Sequence, residues 1–418
     1  MKFKGTFYGK IMKLFSGTAA SQLVWILAMV VVSRLYSAED LGEQQLFIAT
    51  ASICSIVGTG RYEMAISIPK YNYQAKQLCI FSLLLAVIYA TLLFLILLVF
   101  DFFLPSVSQK YLGSSMLFVP VLVVELCLYL IFYNYLLRTQ LYRVAVNGLL
   151  LFPVAYLLFI VICRHIDMFI PNLIAAIIIA RGVECAYYGI HLRKVLNFNY
   201  SKHYCYLVIN KGREYNDFPK YMLLGDFIDT LKSNIIPFFI TLFWGKTATG
   251  YFSMASQCLA APSSLVAKSV GDVFRQEGSR LYEFKNTCEE FYLKNLRLCS
   301  VYSLIVCVCV YFISPIIIDE ILGERWEETC HYMQWMLPMT FFTLISSPLS
   351  NMYTIAREQK KYMRVQICFL IGSVICFLTT GLGGSEIKNA LLFLGIVFAS
   401  VSCYSLYGGL KISRRDIR

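Results

Sequence analysis

Charge is scarce in this chain of 418 residues: Asp, Glu, Lys and Arg together make up 15%. A soluble globular domain carries roughly a quarter, so the shortage excludes an ordinary water-soluble fold. Histidine is scarcer still. The four, His165, His191, His203 and His331, stand in loops or at span ends, and none is spaced as one of a pair of metal ligands. No CxxC pair occurs among the fifteen cysteines, which argues against a zinc or dithiol motif. Most cysteines fall inside apolar runs, where free thiols act as small hydrophobes. No phosphate-binding glycine loop is present, so nucleotide hydrolysis by this chain is not expected. The segments between apolar runs are too short on one side for a catalytic domain.

Apolar runs take up what charge leaves. Hydrophobic residues reach 58%, and stretches of about 18 or more residues recur as membrane-span candidates. Twelve spans are expected: 14–33, 44–66, 77–100, 114–137, 144–163, 169–191, 218–242, 249–274, 296–315, 331–355, 363–380 and 388–410. The first run leads into a charged turn without a small-residue cleavage site, so it is expected to stay as a span. The spans are too long for barrel strands, and lipid tolerates only helices or closed barrels. The expected fold class is all-α and integral to the membrane, with two pseudo-repeated six-helix lobes. Residues 1–191 form the first lobe, 192–217 a basic linker on the inner side, and 218–418 the second lobe.

The net charge of +12 would suggest nucleic acid in a soluble protein. Here its distribution fits a bilayer, and no nucleic-acid partner is expected. Of the 37 Lys and Arg residues, 28 lie on one side of the span map, six on the other and three within spans. By the positive-inside rule both termini are cytoplasmic. An inner stretch, 275–295, has the aromatic and charged mixture of a helix lying on the membrane surface.

Leu14 to Lys70 reads as a hairpin of two spans around an acidic turn. A shift of 208 positions carries Gly42 onto Gly250, Tyr36 onto Trp244 and Gly17 onto Gly225, so a second hairpin is expected over Phe218–Phe274. Two related halves with charges at matching depth are the layout of a transporter whose site lies between repeats.

Ionisable residues inside spans are costly and usually functional. Glu125 stands near the middle of span 4. Arg181 and Glu184 are three apart in span 6, and Asp226, Asp229 and Lys232 follow three-residue steps in span 7. Lys268 and Asp272 are four apart in span 8, and Arg61 and Glu63 end span 2. Two readings stand side by side. The pairs could neutralise one another within their own helices, and end-of-span charges could snorkel to the interface. Alternatively they line a polar cavity, where Arg61, Lys268, Arg181 and Lys232 would hold an anion. Glu63, Glu125, Glu184, Asp226, Asp229 and Asp272 would then line it or bind H⁺ or Na⁺. Pro237, Pro262, Pro338 and Pro348 fall in or near spans and are candidate kinks.

The run Tyr36-Ser-Ala-Glu-Asp-Leu-Gly42, with Arg61-Tyr-Glu-Met-Ala-Ile-Ser-Ile-Pro-Lys70, resembles the N-terminal signature of Wzx-type O-antigen flippases. These form part of the polysaccharide transporter branch of the MOP exporter superfamily. Phe218-Pro219, Gly250-Tyr251, Pro262 and Gly271-Asp-Val-Phe274 resemble that family's second hairpin. The resemblance implies two six-helix lobes around a cavity open to one side at a time. It implies movement of an undecaprenyl-pyrophosphate-linked oligosaccharide, an O-antigen or capsule repeat unit in lipopolysaccharide assembly, to the periplasmic leaflet of a bacterial inner membrane. A downstream glycan polymerase would be a partner, and no cofactor is implied. By this reading Arg61 and Lys268, one per lobe, would hold the pyrophosphate or an anionic sugar. Alternatives are a multidrug or cation exporter of the same superfamily, a lipid II-type flippase, and a membrane-embedded glycan polymerase, ligase or acyltransferase.

Overall fold

The computed structural model describes residues 7–103, 113–166, 169–193, 202–284, 287–356 and 358–414. Every regular element among them is helical, as hydrocarbon demands of a backbone that must satisfy its own hydrogen bonds. The α-helices are α1 Phe7–Leu35, α2 Ala38–Gly58, α3 Tyr62–Ala65, α4 Asn72–Phe103 and α5 Val119–Arg138. They continue with α6 Tyr142–Arg164, α7 Asn172–Leu192, α8 Lys202–Glu214, α9 Leu223–Phe284 and α10 Glu289–Ile317. Last come α11 Glu327–Trp335, α12 Leu337–Leu349, α13 Asn351–Ile355, α14 Gln359–Leu382 and α15 Ile387–Ser413. Two compact units divide the chain, Met1–Asn234 and Ile235–Arg418.

Among the described residues eight helical stretches are long and apolar enough to cross a membrane: Ser16–Leu35, Asn72–Phe103, Ser115–Arg138, Tyr142–Arg164, Asn172–Leu192, Glu289–Leu322, Gln359–Leu382 and Ile387–Ser413. They coincide with expected spans 1, 3, 4, 5, 6, 9, 11 and 12. On α4, Leu92, Leu95, Ile96 and Val99 are all exposed, a face suited to lipid tails rather than water. The other four expected spans fall on interrupted helices. Span 2 is α2, a break, and the single turn α3. Spans 7 and 8 are the two arms of α9, and span 10 is divided among α11, α12 and α13.

Both expected hairpins are present, with tighter turns than the sequence suggested. In the first, only Tyr36 and Ser37 separate α1 from α2. Ser37 Oγ accepts from the Asp40 amide at 3.2 Å, and Asp40 returns a carboxylate oxygen to the Ser37 amide at 2.9 Å. This reciprocal cap satisfies two donors that a new helix would leave bare. Tyr36 donates its hydroxyl to the Ile160 carbonyl at 2.7 Å. Burial pushes that phenol up to about 12, so it remains a donor near neutral pH. In the second hairpin the turn is Gly245, at φ 89° and ψ 173°. The left-handed sign of φ is open to glycine and strained for other residues. Thr249 then reaches back to Thr241 at 2.6 Å and to the Pro237 carbonyl at 3.5 Å. Twelve residues of continuous helix would hold those ends about 18 Å apart, so the two arms are antiparallel. Trp244 donates Nε1–H to the Ser385 carbonyl at 3.0 Å. The 208-residue shift sets Tyr36 on Trp244 and Ser37 on Gly245, turn upon turn.

In the first unit, α6 packs on α1 and α7, and α5 on α2, α4 and α7. Small residues let these helices approach. A Cβ at Gly148 would lie 2.2 Å from the Tyr188 ring, and Tyr188 donates to the Ala145 carbonyl at 2.9 Å. The second unit repeats this device. Tyr292 fills the space beside Gly409 and donates to Leu406 O at 2.9 Å; Tyr353 lies beside Gly408 and donates to Ser405 O at 2.8 Å. Around them Phe274, Cys299, Ile345, Leu349 and Ile412 form the core.

Three local expectations differ. Residues 275–284 continue α9 and 289–295 begin α10, so 275–295 is no separate surface helix. The basic segment 192–217 instead contains α8, which packs on α4 with Gly212 against the Phe81 ring. The sharp break in α9 is at Gly245. Pro338 stands in the first turn of α12, where a missing amide hydrogen has no helical partner to lose, and Pro348 lies inside the helix near its end.

Candidate functional site

The intramembrane charges of the first unit gather in two places. One grows from the break after α2. That helix is drawn close to its neighbours: a Cβ at Gly58 would meet Cys127 Sγ at 2.8 Å. It stops at Thr59, and the chain passes through two consecutive left-handed residues, Gly60 at φ 55° and Arg61 at φ 62°. A non-glycine side chain in this region costs roughly 1–2 kcal/mol, a strain that tends to gather at working sites. Arg138 donates to the Ser67 carbonyl at 2.7 Å and also to the Pro69 carbonyl, which pins the far side of α3. The Phe218–Met222 turn, opened by Pro219, lies against α3 and leads into α9.

These supports bring Arg61, Glu63 and Asp226 together. Arg61 Nη1 donates to Glu63 Oε1 at 3.0 Å, and Arg61 Nε lies 2.7 Å from Asp226 Oδ2. The Glu63 side chain is 1% exposed, that of Arg61 13% and that of Asp226 34%. Despite their proximity, Arg61 Nε and Asp226 Oδ2 are misaligned for a hydrogen bond, and Glu63 Oε2 is buried without a partner. With all three ionised, one guanidinium faces two carboxylates.

The second cluster lies on α5 and α7. Arg181 Nη1 bonds Glu184 Oε2 at 2.5 Å, and Glu184 is fully buried. Glu125 Oε1 occupies the notch at Gly182, 3.0 Å from where a Cβ would stand. The Arg181 guanidinium is 3.7 Å from the centre of the Phe152 ring and 5.0 Å from that of Tyr129. Phe152 in turn stacks on Trp25 at 5.7 Å. Glu125 Oε2, Glu184 Oε1 and Arg181 Nε are buried without hydrogen bonds. The ratio is again two carboxyl groups to one guanidinium.

Asp229 and Lys232 pair within α9 at 2.9 Å, with Asp229 58% exposed; such a pair contributes about 0–1 kcal/mol. Lys268 and Asp272 lie on the second arm of α9, but their side chains are outside the described residues. Intrahelical pairing therefore accounts for Asp229–Lys232 and for part of the Arg181–Glu184 contact. The Arg61–Asp226 contact spans 165 positions, and nothing in the sequence signalled it. The aromatic bed of Arg181 was equally unforeseen; the i,i+4 spacing of Phe152 and Tyr156, which stack together on Trp25, was its only trace. Among the described residues no group of three or more His, Cys, Asp or Glu is arranged to hold a metal ion.

Comparison with known proteins agrees with this architecture. Residues 31–331 match the family described as "Polysaccharide biosynthesis protein". A search of curated proteins found no match. Among solved structures, the lipid II flippase MurJ in an inward closed conformation superposes with a TM-score of 0.72 at 14% identity, covering 96% of this chain and 89% of that one. An inward-facing multidrug resistance MATE family transporter of the MOP superfamily gives 0.64 at 14% identity, covering 94% of each chain. A MOP superfamily transporter from Pyrococcus furiosus gives 0.60 at 13%, covering 98% of this chain and 97% of that one. The chain belongs to the polysaccharide biosynthesis protein family and has the helical fold of the MOP superfamily transporters.

Proposed function

We propose that the protein is a flippase for an oligosaccharide carried on a polyprenyl diphosphate, such as an O-antigen or capsule repeat unit. It would move the headgroup from the cytoplasmic to the outer leaflet of a bacterial inner membrane by alternating access. Twelve spans, cytoplasmic termini and two six-helix lobes joined by 192–217 belong to the same reading. A headgroup of several sugars and a diphosphate cannot cross hydrocarbon without losing its hydrogen bonds. A polar groove carries the headgroup while the polyprenyl tail stays in lipid.

The observation that carries the proposal is Arg61, held in a strained backbone beside a broken span in a chain of a polysaccharide biosynthesis family. A guanidinium suits phosphate oxygens because its N–H groups fork toward two of them. Arg61 and Lys268 are the proposed diphosphate ligands, with Arg181 and Lys232 as further cationic contacts. The carboxylate excess around Arg181 supports H⁺ or Na⁺ as a coupling ion, with Glu125 and Glu184 as its binding groups. Glu63, Asp226, Asp229 and Asp272 complete the proposed acidic lining.

The test is lipid extraction from a strain lacking this protein, with the remaining glycan pathway intact and no second flippase. Polyprenyl-linked oligosaccharide should accumulate in the cytoplasmic leaflet and surface glycan should fall. Normal levels of both would refute the proposal and favour the drug or cation exporter, which efflux assays would then measure.

A further inference from the structure

Arg61 has an anion beside it, and that anion is Asp226. We propose that Asp226 is an internal substitute for the substrate's diphosphate, displaced when the substrate arrives. The inference rests on the reading of Arg61 as a diphosphate ligand and adds how that site is kept closed.

Three observations support it. The contact is close but poorly made: Nε and Oδ2 are 2.7 Å apart, yet the N–H does not point at the oxygen. Asp226 therefore supplies charge to the guanidinium without a full hydrogen bond, where a phosphate could supply both. Glu63 holds Nη1 with a directed bond at 3.0 Å and is itself almost wholly buried. The guanidinium is thus positioned from one side by Glu63 while its Nε side faces the exchangeable partner. The two carboxylates also differ in access, since Asp226 is 34% exposed and Glu63 1%. The side chain with a surface open to water is therefore the one beside Nε, although its contacting Oδ2 is itself covered.

Displacement would have a mechanical result. Asp226 is in the first turn of α9 and Arg61 is the residue before α3, so their contact ties the entry of the second hairpin to the end of the first. A ligand can shift a conformational equilibrium only by binding one state better than another. A diphosphate competing with Asp226 does this, because its own binding requires the tie to open.

Binding of farnesyl diphosphate and of inorganic pyrophosphate to the full-length protein in detergent tests the proposal. The variants are D226N, D226E, R61A and R61A/D226N. Removing the competing charge in D226N should tighten farnesyl diphosphate binding about tenfold, equivalent to about 1.4 kcal/mol. D226E, which keeps the competing charge, should show a smaller gain than D226N, R61A should bind weakly, and D226N should give no gain in the R61A background. In the parent, ligand should also speed amide hydrogen exchange at residues 223–228, a response that a merely structural ion pair would not give. A gain shared by inorganic pyrophosphate assigns recognition to the diphosphate group alone; a gain confined to the farnesyl compound assigns it to a lipid-borne headgroup. Both support displacement. If R61A weakens binding while D226N, folded and monodisperse, binds no tighter than the parent, the substitution by Asp226 is refuted and the Arg61 site stands. Full binding by R61A refutes the Arg61 site itself.

Discussion

Replacing Arg181 with alanine should be among the most destabilising single changes in the first unit. Its partner Glu184 is fully buried, and Glu184 Oε1 already lacks a donor. Loss of the guanidinium would strip Oε2 as well and leave a buried charge without compensation. Breaking a buried pair in this way costs about 3–5 kcal/mol. The stack on Phe152 at 3.7 Å adds roughly 1–2 kcal/mol when desolvated. Together R181A should lose about 4–7 kcal/mol. The decisive comparison is R181A/E184Q, which replaces the stranded carboxylate with a neutral amide. It should recover about 2–3 kcal/mol of that loss, leaving the stacking and cavity costs. Reversible denaturant titration in mixed micelles, followed by tryptophan fluorescence, gives the cycle. Equal stability of R181A and R181A/E184Q would refute the account, because the loss would then not arise from the stranded charge.

Further outcomes follow from individual contacts. G148A should lose about 1–3 kcal/mol, as expected for overpacking, because its Cβ would overlap the Tyr188 ring; a thermal shift assay reads this. G245A should cost roughly 1–2 kcal/mol from its positive φ, and the same assay should show G225A near neutral, since nothing lies within 4 Å of a Cβ there. W244F removes the donor to Ser385 and should cost about 1 kcal/mol, detectable as a lower midpoint in chemical denaturation. Cys205 is exposed on α8, and under the proposed cytoplasmic placement of the termini it should react with a membrane-impermeant maleimide only in inside-out vesicles; labelling of Cys205 in right-side-out vesicles would refute that placement.

The sequence was most informative where one physical requirement acts on a continuous stretch. Apolar runs located the eight helices that, among the described residues, are long and apolar enough to span, because lipid imposes length and composition together. The 208-residue shift matched the two hairpin turns because a tight reversal needs a particular residue at a particular place, Ser37 as a helix cap and Gly245 for its φ. Interruptions were harder to see. Thr59-Gly60-Arg61 breaks span 2 through two left-handed residues, and only Gly60 announces that freedom. The meeting of Arg61 with Asp226 depends on how α3 packs against the turn before α9, a tertiary fact with no signature in spacing. Arg181 and Glu184 were visible as neighbours on one helix face; the Phe152 stack and the Gly182 notch that complete their surroundings come from other helices and a missing side chain.

The phenol of Tyr188 occupies the space that Gly148 leaves on α6, and Arg181 of α7 rests on Phe152 of α6. These two contacts, about two helical turns apart along α7, work as a pair of pins. A single pin would let the helices swivel; two prevent it. Arg181, Glu184 and their aromatic bed therefore move as one piece, and a change of charge there would be felt as a shift of the whole helix pair. Bending must then occur where backbone is already released from helical bonding, at Thr59–Arg61 and at Gly245. In this molecule one charged cluster sits in a stiff helix pair, and the other, around Arg61, sits at a pliant break.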